Sequence, residues 1–172
     1  MRNLYIHFAA HFGFPEAAAA DFMNIIHALK HRNRDALPQW FIEQHQIRHD
    51  DFDLTTFMYD ENLFDIGCCL AFPEYAYKDG ILTIWASERA DIDSTATILS
   101  EVMKQHDVDS VIPMEGVEEA QNEDDPGRSD YSGFAFAIGP GIVRNMDTGA
   151  LMESLIQDVR AELYEESMKP GY

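Results

Sequence analysis

The sequence predicts an α+β fold: a single layer of mainly antiparallel sheet with helices packed on one face, in the order β-α-(α)-β-β-α-β-β-α. Three observations predict it. Short, strand-like apolar runs lie on both sides of helical stretches without forming a repeating βαβ series. Asp79-Gly80 stands between two such runs, which is the pattern of a hairpin turn. Stretches near 16–34 and 94–103 carry apolar residues at three- and four-residue spacing, the period of an amphipathic helix. A length of 172 residues with 46% hydrophobic content suits one domain spanning 1–172.

Residues 4–12, LYIHFAAHF, are apolar and aromatic up to Gly13 and read as the first strand. Pro15 suits a first helical turn, and Glu16 behind it favours the positive end of the helix dipole. Ala17–Ala20, Phe22, Ile25, Ile26 and Leu29 then carry a helix to about Arg34. A second helical stretch follows Pro38 through Trp40, Phe41, Gln44 and Ile47. Residues 50–65 alternate acids and aromatics without a steady period, which predicts an irregular connection or a short helix with loops.

CCLAFPEYAY and ILTIWAS, joined by Lys78-Asp79-Gly80, read as paired strands, with Pro73 placing the first at an edge or a break. Ser94 is expected to cap a helix carrying Ala96, Ile98, Leu99, Val102 and Met103. Val111–Val117 reads as a strand, Glu118–Asp130 as an acidic loop, and GFAFAIG (133–139) as the most buried strand. Gly139-Pro140-Gly141 is expected to break that strand before a closing helix, capped by Asp147 or Thr148, with Leu151, Leu155, Val159 and Leu163 in an i, i+4 ridge. No internal repeat or linker divides the chain.

Charge is very unevenly distributed. Residues 1–49 hold five Lys/Arg against four acids, while the remainder holds seven against twenty-seven. The net charge of −19 opposes direct binding to nucleic acid and to anionic membrane surfaces. Lys30, His31, Arg32 and Arg34 are the exception, and cations at a helix C-terminus complement its dipole. No apolar run approaches the ~18 residues that suggest a bilayer span. The opening MRNLYIHFAAHFGFPE lacks the pattern of a secretory leader. Adjacent Cys68 and Cys69 neither bridge easily nor space as metal ligands. A cytoplasmic protein is expected.

Within 79–148, Asp79-Gly80, Leu82, Ile84, Glu88, Asp91, Asp93, Met114-Glu115, the run Tyr131–Ala135 and Asp147-Thr148 form a pattern. It resembles a group of uncharacterised bacterial proteins carried by phages and plasmids. The resemblance implies a strand, acidic turn, helix, strand, Gly-rich strand and closing helix, in a mobile-element setting, with no known reaction attached. Where that group tends to carry a Cys-Ser-Lys-Pro-Arg-like stretch, this chain has the far more acidic Glu118–Asp130.

Candidate chemistry is sparse. His27/His31 and His45/His49 repeat i, i+4 spacing, and His7 and His11 would share a strand face. Zinc needs three or four ligands, and neither helical pair has the Glu of an HExxH motif. The adjacent or near-adjacent acids are what a chain with thirty-one carboxylates offers by chance. No GxSxG, phosphate-cradling glycine loop or calcium-loop pattern is present.

The expectation is therefore a non-enzymatic acidic protein without cofactor or metal, binding a basic protein surface such as that of a nucleic-acid-binding protein. Candidate contacts are Glu118, Glu119, Glu123, Asp124, Asp125 and Asp130, with Asp91 and Asp93 alongside. A compact chain of this mass exposes about 8,500 Å², or roughly 450 Å² per net charge, against about 100 Å² per charge on duplex DNA. Mimicry of nucleic acid thus requires a concentrated acidic face. The alternatives are a metal-dependent hydrolase built on the N-terminal histidines, and a homodimer joined through aromatic residues such as Trp40, Phe41, Phe57, Tyr59 and Phe64.

Overall fold

The computed structural model describes residues 2–48, 51–61, 63–66, 69–86, 90–122 and 129–147. The elements in chain order are β1 (Arg2–Gly13), α1 (Glu16–His31), α2 (Gln39–His45), α3 (Asp51–Asp60), β2 (Asp65–Ile66), β3 (Cys69–Leu70), β4 (Glu74–Lys78), β5 (Ile81–Ala86), α4 (Ile92–Gln105), β6 (Ile112–Asn122), β7 (Ser129–Gly139) and β8 (Ile142–Asp147). A six-stranded sheet has the order β4-β5-β1-β6-β7-β8, with every neighbouring pair antiparallel. β2 and β3 form a separate two-stranded pair. The fold is α+β, as the sequence predicts.

β1 holds the centre because it serves two partners in succession. Arg2–Phe8 pairs with β6, and Phe8–Gly13 pairs with β5. β5 and β6 are both antiparallel to β1, so they run parallel to each other, and α4 is the crossover between them. Alternation along each strand separates two faces. Ile6, Phe8, Ala10, Leu82, Ile84, Ile112, Met114, Phe136 and Ile138 are buried on the helix side. His7, Ala9, His11, Ile81, Glu115, Val117, Ala135 and Ala137 are exposed on the other.

α1 and α4 supply the second layer. Phe22, Ile25, Ile26 and Leu29 of α1 and Ile98, Leu99, Val102 and Met103 of α4 are all essentially inaccessible to solvent. α1 ends at His31, three residues earlier than its apolar pattern suggests. Arg32 there adopts a left-handed conformation (φ 52°), and its N–H reaches back to Leu29 O. Beyond it, Arg34 has a structural role: it donates through Nε and Nη2 to Ile47 O and through Nη2 to Arg48 O, clamping the chain that leaves α2.

Several sequence expectations are corrected. The cap of α4 is Asp91, whose carboxylate accepts from Ser94 N at 3.1 Å. Ser94 is the third helical residue, and its Oγ donates to Asp91 and accepts the buried Phe64 N–H. Residues 118–130 are not simply a loop: β6 continues to Asn122 and β7 begins at Ser129, because β1 on one side and β7 on the other satisfy the backbone of β6. GFAFAIG is not the most buried strand, since Ala135 and Ala137 face solvent while Phe136 and Ile138 face the core. Gly139-Pro140-Gly141 does not lead to a helix; it turns β7 into β8, with Gly141 at φ 70°. At 50–65, where the sequence predicts an irregular connection or a short helix with loops, the helix forms: α3 runs for ten residues. The closing helix expected from 148 lies outside the described residues.

The Asp79-Gly80 hairpin forms as predicted, both residues taking positive φ (53° and 80°), and Pro73 precedes the edge strand β4. Among the described residues, no helix is long and apolar enough to cross a membrane.

Candidate functional site

The acid-rich segment singled out by the sequence is carried on a long antiparallel ribbon. Glu118 and Glu119 lie on β6 opposite Ser132 and Tyr131, and Asp130 lies on β7 opposite Ala120. On the other side of β6, Glu118 and Glu119 stand opposite Ile6 and Tyr5 of β1. Three acidic positions thus fall within a few residues of one another near the end of the β6–β7 ribbon, on backbone paired on both sides of β6; by register Glu118 and Asp130 belong to one face of the sheet and Glu119 to the other. Glu123, Asp124 and Asp125 belong to the connection between these strands, outside the described residues.

Asp91 and Asp93 do not join this cluster. Asp91 is part-buried, and both its oxygens are engaged by Ser94, so it is a helix cap. Asp93, on the first turn of α4, lies 3.5 Å from Asn145 of β8. Loss of solvent and the neighbouring Asp91 carboxylate raise its pKa, opposed by the Asn145 hydrogen bond. Asn145 faces Phe136, which faces Met114. Glu118 is four residues farther along β6, about 13 Å by strand rise.

Other exposed acids are dispersed over the molecule: Asp35 and Glu43 near α2, Asp60 and Glu61 at the end of α3, Asp79 at the hairpin, and Asp107 and Asp109 after α4. The accessible surface is 11041 Å². Divided by the net charge of −19, this is roughly 580 Å² per charge, more dilute than duplex DNA by over fivefold. Average charge therefore does not resemble nucleic acid.

The histidines are separated by the fold. His7 and His11 face away from the helices, with His11 Nδ1 3.0 Å from Thr83 Oγ1. His27 and His31 lie ring against ring, centroids 4.4 Å apart, on the exposed side of α1. His45 reaches from α2 to Glu101 of α4 (Nε2–Oε2 2.8 Å) and lies against Phe41 and Phe57. His49 lies outside the described residues. Among the described residues no three His, Cys, Asp or Glu converge as a set of metal ligands.

Sequence reasoning missed two contacts that join the helices. Asp21 of α1 accepts from Trp40 Nε1 at 2.7 Å and lies 2.8 Å from His106 Nε2, both on Oδ2. The second is the His45–Glu101 pair. Their partners are 19, 85 and 56 residues apart, so no local spacing could have revealed them. The aromatic patch expected from Trp40, Phe41, Phe57, Tyr59 and Phe64 does not lie on the surface: Phe41 and Phe64 are fully buried, Trp40 and Phe57 are partly buried, and Tyr59 alone of the five is exposed.

Two open cavities, of about 430 and 480 Å³, flank the Gln46–Arg48 turn. His45, Phe57 and Asp60 line one, and Arg34, Ile42 and Glu43 the other. The imidazole and the Arg34 guanidinium at these cavities already have protein partners, which assigns them to holding α2 in place. Comparison with models of protein families, with curated proteins and with solved structures found no match to this chain.

Proposed function

We propose that this protein is a non-enzymatic acidic module that binds a basic surface of another protein, such as one used for nucleic acid, and modulates it. In this reading it acts in the cytoplasm, in the setting of a phage or plasmid. The observation that carries the reading is the placement of Glu118, Glu119 and Asp130 on the β6–β7 ribbon. Backbone already paired in a ribbon loses less freedom on binding than a free loop does, so electrostatic attraction there is less offset by ordering. Glu123, Asp124 and Asp125 follow directly in sequence and add to the same charge. Asp93 supports the ribbon only at longer range, and Asp91 contributes as a cap.

Such a surface acts mainly through the rate of encounter, and salt screens it with a length of about 8 Å at physiological ionic strength. A pull-down from host lysate at low salt tests the reading, with wild type and Glu118→Gln/Glu119→Gln/Asp130→Asn as parallel baits. Basic proteins should elute from wild type in a salt step and be depleted on the variant. Equal capture by both baits would remove the ribbon as the binding site.

A further inference from the structure

Among the described residues the sheet has one face without helices, and the chemistry of that face differs from the rest of the described molecule. Directly paired residues share a face, so the register defines its membership. Trp85 stands between Glu74 and Ala9; Thr83 between Ala76 and His11; Val117 between His7 and Gly133; Ala135 between Glu115 and Met146. In the single chain Ala9, Ala135 and Ala137 are exposed, and Ile81, Val117, Ile142 and Met146 retain 43%, 43%, 56% and 52% of their accessible area. Four of the six large apolar residues most open to solvent among the described residues lie on this face.

As far as Val117 its charges balance, Glu74 and Glu115 standing against Lys78 and Arg144, on a protein whose net charge is −19; Glu119, the next position of β6 on this face by register, lies beyond that balanced stretch. We propose that this face is the interface with a second copy of the chain, the two sheets stacking across a two-fold axis. A second copy is the occupant for which neutrality matters most, since it brings the same −19. Any acidic surface would repel it, whereas this face presents small apolar residues at its centre and paired signs around them. In an isologous contact, Arg144 or Lys78 of one protomer can meet Glu115 or Glu74 of the other.

The size is adequate. Six strands at about 4.8 Å spacing, overlapping over about six residues, project to roughly 500 Å². Side-chain relief, and the longer β1, β6 and β7, carry the accessible area toward the roughly 800 Å² per partner of a stable interface. Ala9, Ala135 and Ala137 let the second sheet approach closely. Dimerisation would place two acidic ribbons on one particle, so that a partner with two basic sites is bound with higher avidity.

Sedimentation equilibrium of the full chain over a wide concentration range tests this, combined with oxidative labelling of Met146 and Trp85. The expected result is a shift from 19.6 kDa to twice that mass, with labelling of both residues falling as the dimer forms. Raised salt should tighten the dimer, because screening relieves repulsion between the two acidic protomers. Ala135→Glu should raise the dissociation constant at least tenfold, with far-UV circular dichroism unchanged. A constant monomer mass would overturn the proposal: protected Met146 would then assign the face to residues 148–172 of the same chain, and reactive Met146 to no occupant. A dimer whose formation leaves Met146 and Trp85 equally reactive would also overturn it.

Discussion

His106 and Asp21, 85 residues apart in sequence, meet with Nε2 and Oδ2 at 2.8 Å and join the end of α4 to the middle of α1. The same oxygen accepts the indole N–H of Trp40 at 2.7 Å, so one carboxylate holds three helices together. Hydrophobic packing alone would allow these helices to slide; a shared acceptor fixes their relative position. Asp21→Ala should destabilise the fold by about 2 kcal/mol, since it leaves two part-buried donors without their acceptor. Trp40→Phe should cost less, about 1 kcal/mol. A double-mutant cycle in urea checks the coupling: the two losses should be less than additive.

The cap of α4 gives a second prediction. Asp91→Ala should cost about 1–2 kcal/mol by chemical denaturation, because the carboxylate satisfies the N–H of Ser94 and orients its hydroxyl. Ser94→Ala should be comparably harmful for a different reason, leaving the buried Phe64 N–H without its acceptor, at about 1–3 kcal/mol.

Asp93 predicts a pH dependence. Its folded pKa is raised above the ordinary 3.8 by loss of solvent and by Asp91. The folded state therefore holds this proton at a pH where the unfolded chain has released it. Its contribution is favourable below about 3.8 and is lost as pH rises through the folded pKa. Asp93→Asn removes that dependence. Stability of the variant relative to wild type should increase by a few tenths of a kcal/mol between pH 3 and pH 7, small because the residue is largely exposed. A relative stability that falls over this range would contradict the assignment.

Gly116 gives a steric prediction. A Cβ there would lie 2.3 Å from Phe134 Cζ and 2.6 Å from the carbonyl oxygen of His7. The ring can move, but the backbone oxygen is fixed by the sheet. Gly116→Ala should cost about 2 kcal/mol or more through overpacking. Thermal unfolding of Gly116→Ala with and without Phe134→Leu separates the two contacts: relief by the second change should be only partial.

Much of this architecture is legible in the sequence where local chemistry decides it. Asp79-Gly80 specifies its hairpin because both residues accept positive φ. The apolar stripe of α1 specifies its buried face. The last turn of α1 is less legible, since Arg32 ends the helix in a left-handed conformation more often given to glycine. β8 is not legible because IVRNMD, half apolar but short and broken by Arg144 and Asn145, becomes a strand through its pairing with β7. Glu118–Asn122 read as loop because acids disfavour strands locally, and partners on both sides override that preference. The acidic segment was visible as composition, whereas its ribbon geometry, the balanced open face and the Asp21 junction all depend on residues distant in sequence.

The central claim is that the carboxylates of the β6–β7 ribbon are the contact surface. Titration of a captured basic partner by isothermal calorimetry, at ionic strengths from about 0.05 to 0.5 M, tests it most directly. The account predicts that wild-type affinity falls steadily as salt rises. It predicts further that Glu118→Gln/Glu119→Gln/Asp130→Asn binds more weakly at low salt and with a shallower dependence. Equal affinities and equal slopes for the two proteins would contradict it.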